Sequence, residues 1–87
     1  MDKTHFEELA AFIREHRSNE SNFEKLYAKL EEEPSKGGSP AYREALPSIK
    51  TKAEEYQKAK ETGGIAWPEF EKFVSEFEKA VMEALRE

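Results

Sequence analysis

Residues 68–86 carry the pattern that most limits what this chain can become. Phe70, Phe73, Val74, Phe77, Val81 and Leu85 recur at three- and four-residue intervals, with Ala80 and Ala84 as neighbours. At 100° per residue they share an arc of about 140°, and Glu69, Glu71, Glu76 and Glu78 fall outside it. A strand repeats every second residue and would split this set between two faces. The segment therefore reads as an amphipathic helix whose aromatic stripe needs other helices to cover it.

The acids point the same way. Of 19 acidic residues, Asp2 is the sole aspartate. Glutamate is a good helix former, whereas aspartate favours caps, turns and metal loops. A chain with one aspartate also lacks the Asp-rich signatures of calcium loops, Mg²⁺-dependent phosphoryl transfer and aspartic proteolysis.

Three further helical segments precede this one. Thr4-His5-Phe6-Glu7 reads as a capping box opening a helix over 5–17, with Phe6, Leu9, Ala10 and Ile13 on one face. Arg14 and Arg17 stand near its C-terminal end, where positive charge suits the helix dipole. After the turn Ser18-Asn19-Glu20, Ser21-Asn22-Phe23-Glu24 repeats the box and opens a second helix over 21–33, with Phe23, Leu26, Tyr27 and Leu30 as its stripe. Pro34 ends it, and residues 34–39, PSKGGS, read as a linker. The third helix is expected over 40–62, because Tyr42, Ala45, Leu46, Ile49, Ala53 and Tyr56 hold one phase across Pro47. That proline predicts a kink or a local break. Gly63-Gly64 closes the third helix, and Ile65-Ala66-Trp67 leads into the fourth over 68–86. The expected fold is all-α: a small four-helix bundle of two helical hairpins, forming a single domain over 1–87. An extended hairpin completed by self-association is the structural alternative.

At 87 residues the chain has room for one hydrophobic core, and with no cysteine it has neither disulfides nor thiolate ligands. His5 and His16 are eleven positions apart, about 16 Å along a helix, too far to hold one zinc ion together. No Gly-x-Ser-x-Gly elbow is present, and neither glycine pair has the lysine and hydroxyl residue of a phosphate loop. These patterns predict a protein that is not an enzyme and uses no cofactor or metal. The opening MDKTHFEE lacks the basic-then-apolar run of a signal peptide, and no run approaches the roughly 18 apolar residues that span a bilayer. A cytoplasmic protein without membrane attachment is expected.

The formal charge of -5 is unevenly placed. Residues 35–62 sum to +2, while 18–34 and 63–87 sum to -3 each. The third helix mixes Arg43, Lys50, Lys52, Lys58 and Lys60 with Glu44, Glu54 and Glu55, and a net negative field repels DNA and RNA, so direct nucleic-acid binding is not expected. The acidic second and fourth helices suit a basic protein partner, and the candidate contact residues are Glu24, Glu31, Glu32, Glu33, Trp67, Glu69, Glu71, Glu76 and Glu78. Trp67 reads either as a lid on the core or as an interface anchor. The leading expectation is a non-enzymatic regulator or inhibitor of the antitoxin, immunity or phage-inhibitor kind that docks an acidic helical surface onto a basic partner. The alternative is an assembly subunit or secretion-type chaperone that buries its aromatic stripe against copies of itself, as a homo-oligomer, or against a cargo helix.

Overall fold

The computed structural model describes residues 4–32 and 40–86. Among them are four α-helices, one 3-10 turn and no strand: α1 Thr4–His16, the 3-10 turn Glu20–Asn22, α2 Phe23–Glu32, α3 Pro40–Glu61 and α4 Trp67–Arg86. The expected all-α bundle is the observed fold. The reading of 34–39 as a linker lies outside the described residues, as does Glu33.

The core follows the periodicity. Phe70, Phe73 and Phe77 of α4 are fully buried, together with Ile13 of α1, Leu26 and Leu30 of α2, and Tyr42 and Ile49 of α3. Each such side chain withdrawn from water contributes about 1.5 to 3 kcal/mol. The stripe of α4 is thus covered within one chain. The body measures 43 × 23 × 18 Å with a radius of gyration of 12.7 Å, close to the roughly 12 Å of a globular chain this long.

The α3–α4 pair forms the most extensive helix contact, as the expected second hairpin requires. The chief neighbour of α1 is α4 rather than α2. α2 joins the others mainly through long side chains: the ring of Phe23 lies 4.4 Å from that of Tyr56 and 5.2 Å from that of Phe73. Large residues at a contact set a wider spacing between helix axes.

Three local details differ from or refine the sequence reading. Ser21 does not cap α2: Asn19 caps the preceding 3-10 turn, its side chain accepting from the Ser21 N–H at 2.9 Å in an extended conformation. The apparent repeat of the first capping box thus ends in a different local structure, because the tight turn consumes the N-terminal donors first. Second, Pro47 lies inside one continuous 22-residue α3, on its exposed side. The buried stripe on either side keeps one phase, and Thr51 donates its hydroxyl to the Pro47 carbonyl at 3.0 Å. Third, α4 starts one residue earlier than expected, at Trp67, with Phe70 N–H bonded to the Ala66 carbonyl at 3.0 Å. Pro68 therefore stands in the first turn, where its missing N–H has no helical acceptor to leave empty.

Candidate functional site

The loops after α1 and after α3 meet at one end of the bundle. The first is pinned at several points: Asn22 N–H bonds to the Asn19 carbonyl at 3.0 Å, and the Asn22 amide donates to the His16 carbonyl at 3.2 Å. The second closes α3 with two bonds, Gly63 N–H to the Lys60 carbonyl and Gly64 N–H to the Ala59 carbonyl, at 3.1 and 3.2 Å. This paired closure needs a left-handed residue, and Gly63 supplies it at φ 77°. The chain then presents Ile65 outward, 85% exposed, before turning Ala66 and part of Trp67 into the core.

Between these loops a cleft of about 450 Å³ is lined by Glu20, Phe23 and Glu24 on one side and Tyr56, Lys60 and Glu61 on the other. Its floor is aromatic. Glu20 and Lys60 are the charged groups that act on the Tyr56 hydroxyl, and the Lys60 ammonium stands 5.8 Å from the Tyr56 ring centroid. Burial pushes the Tyr56 phenol above its ordinary range, Lys60 opposes that shift and Glu20 adds to it. The Trp67 ring centroid lies 5.6 Å from that of Phe70, and Trp67 lines a second cleft of about 290 Å³ with Arg17, Ser18, Glu71 and Val74.

The expected contact residues do not form one face. Glu78 is drawn inward to α1: Arg14 Nε donates to its Oε2 at 3.1 Å and Arg17 Nη1 to its Oε1, leaving the side chain 18% exposed. A carboxylate held by two guanidiniums presents little free negative charge to a partner. Glu69 is half-buried, with Lys72 Nζ 4.0 Å away. Glu71 and Glu76 share a cleft with Lys52 and Lys72, so that flank of α4 is electrically mixed. Glu24 and Glu31 are exposed on α2, and Glu32 is its last residue. Trp67 is half-buried, combining a core-facing part with a solvent-facing one.

The structure adds residues that the sequence reading passed over. Glu20 and Glu61, 41 positions apart, join Glu24 around the same cleft. Ile65 belongs to no helical stripe, and its standing alone as an apolar residue after Gly-Gly is the one sequence signal for it. The histidines serve packing: His16 stacks on Phe12 at 4.1 Å between centroids and donates from Nδ1 to the Phe12 carbonyl at 2.8 Å, while His5 meets the edge of Phe6. Among the described residues, no group of three or more His, Asp or Glu side chains is placed to hold a metal ion, and no helix is long and apolar enough to cross a membrane.

Fold and surface together define a small four-helix bundle with an acidic, aromatic-floored cleft at one end. No family model matches the chain, and neither a curated protein nor a solved structure matches it.

Proposed function

We propose that this chain is a non-enzymatic protein-binding regulator, an inhibitor of the antitoxin or immunity kind, that docks an acidic surface onto a basic partner protein. The observation that carries the reading is the convergence of Glu20, Glu24 and Glu61 on one cleft against a single lysine, in a chain of net charge -5. Such a field attracts cationic protein surfaces, accelerates their encounter and repels nucleic acid. The assembly alternative has lost its main support, because Phe70, Phe73 and Phe77 are fully buried inside the single chain.

Affinity capture with the whole chain as bait, followed by calorimetry on the recovered protein, tests the proposal. The expected result is a basic partner whose affinity falls steeply from low to high salt. Recovery of no protein, or an affinity indifferent to salt, overturns it.

A further inference from the structure

Among the described residues Ile65 is the one large apolar side chain left exposed, and its position two residues before the half-buried Trp67 places both at the tip where the loops meet. An exposed isoleucine held on a pinned loop differs from a mobile one. Gly64 is fixed by its bond to the Ala59 carbonyl and Ala66 by its bond to Phe70, so the backbone on both sides of Ile65 is tied to a helix end. The backbone that carries the side chain is thus held in place before any partner arrives, which lowers the ordering cost of its use as an anchor.

The charges lining the two clefts at this end select the occupant. Glu20, Glu24 and Glu61 rim one cleft and Glu71 the other. The bases lining the same two clefts are Lys60 and Arg17, and Arg17 is already paired with Glu78. The first cleft is therefore net acidic, and Ile65 follows its lining residue Glu61 by four positions and precedes Trp67 of the second cleft by two. A second copy of this chain would bring an equally acidic cleft against it, and a nucleic acid would be repelled likewise.

We infer that the partner is engaged end-on, at this tip, and that the segment it supplies is cationic and amphipathic: lysine or arginine side chains flanking an apolar residue that packs on Ile65 and Trp67. The cations face the carboxylates, with the Tyr56 and Phe23 rings as the cleft floor between them. This rests on the proposed docking of an acidic surface and extends it from the cleft of Glu20, Glu24 and Glu61 to Ile65 and Trp67 at the loop end. Apolar anchors ringed by polar contacts are the usual centres of binding energy.

Trp67 is the sole tryptophan, so its fluorescence reads the tip directly. The probes are two synthetic helical peptides, one of leucine and lysine, the other with glutamate at every lysine position. The lysine peptide is expected to move Trp67 emission to shorter wavelength, saturably and less tightly in high salt, while the glutamate peptide leaves it unchanged. Ile65→Ser should weaken binding roughly tenfold or more, and Glu24→Gln with Glu61→Gln should flatten the salt dependence. Glu31→Gln, exposed elsewhere on α2, should bind as the parent does. Equal responses to both peptides, no response, or tip variants that bind normally overturn the inference. So does a concentration-dependent emission shift of the chain alone that Ile65→Ser abolishes, since it assigns the tip to a second copy. A captured partner that binds in a salt-sensitive way yet ignores Ile65→Ser defeats the end-on assignment while leaving the acidic docking intact.

Discussion

Arg14 Nε donates to Glu78 Oε2 at 3.1 Å, joining α1 to α4 across 64 positions of sequence. Arg17 takes the other carboxylate oxygen, so one glutamate ties the end of α1 to the middle of α4. Both arginines are substantially solvated, which limits the strength of each pair to about 0.2 to 1 kcal/mol. Glu78→Gln keeps the shape and removes the charge. It should lower stability by about 1 kcal/mol in low salt and by less in high salt, measured by urea denaturation. An equal loss in both salts would show that the clamp acts through packing instead.

Phe73 tests the core. Its side chain is fully buried, with ring centroids 5.2 Å from Phe23 and 6.0 Å from Phe77. Phe73→Ala is expected to cost about 3 to 5 kcal/mol, a large part of the stability of a small domain. Glu71→Ala, on the exposed side of the same helix, should change stability by less than about 0.5 kcal/mol. Chemical denaturation of the two variants side by side checks the contrast.

Pro47 lies in the interior of α3 and contributes no N–H to its ladder. Alanine there restores a donor at an exposed position and removes the ring's clash with the preceding turn. Pro47→Ala should raise stability by about 1 to 3 kcal/mol, partly offset by the greater freedom of the unfolded chain. A lower melting temperature would mean that the proline ring itself supports the packing that keeps Tyr42 and Ile49 on one buried face.

Gly63 and Gly64 should respond differently to the same change. Gly63 stands at φ 77° with open space where a Cβ would go, so Gly63→Ala meets only the backbone penalty of about 1 to 2 kcal/mol. A Cβ on Gly64 would find its nearest atoms at 3.8 Å, ordinary contact, and that backbone is not left-handed. Gly64→Ala should be neutral or mildly stabilising. Thermal unfolding of both variants is the measurement.

Tyr56 predicts an alkaline weakness. Its phenol is raised in the folded state by burial, with Lys60 opposing and Glu20 adding, so the fold holds its proton more tightly than the unfolded chain does. The stability this supplies is complete below the ordinary phenol value of about 10 and is lost as pH climbs through the folded value. Denaturation midpoints should therefore fall above about pH 10, and the fall should be smaller in Tyr56→Phe. Absorbance titration of the phenols should show one tyrosine ionising later than a free phenol, and losing that late step in the variant.

Much of the fold was legible from spacing. Phe6, Leu9, Ala10 and Ile13, and again Phe70, Phe73, Val74 and Phe77, were placed on buried faces by helical periodicity, and all are buried. Gly63-Gly64 announced the end of α3, and the continuous phase across Pro47 pointed to one helical segment, with a kink or local break expected at the proline where α3 runs on continuously. The start of α2 was less legible, because Asn19 and Ser21 are both good capping residues and only the geometry of the chain arriving from α1 decides which one caps. The surface was the least legible part. Glu78 and Glu71 look alike as exposed glutamates of one helix, yet one is clamped by two arginines and the other is in solvent.

The difference has a physical cause. A periodic stripe records how a helix is oriented about its own axis, since burying that stripe is the same requirement whatever covers it. The sequence alone therefore determined four helices, their buried faces and a surplus of glutamate on the remainder. Which glutamates keep their charge depends on distances between helices, and those arise only when α1 settles on α4 and when the two loops meet at one end. Tertiary packing alone decided that Glu78 is bound within the chain, that Glu20 and Glu61 join Glu24, and that Ile65 stands in water.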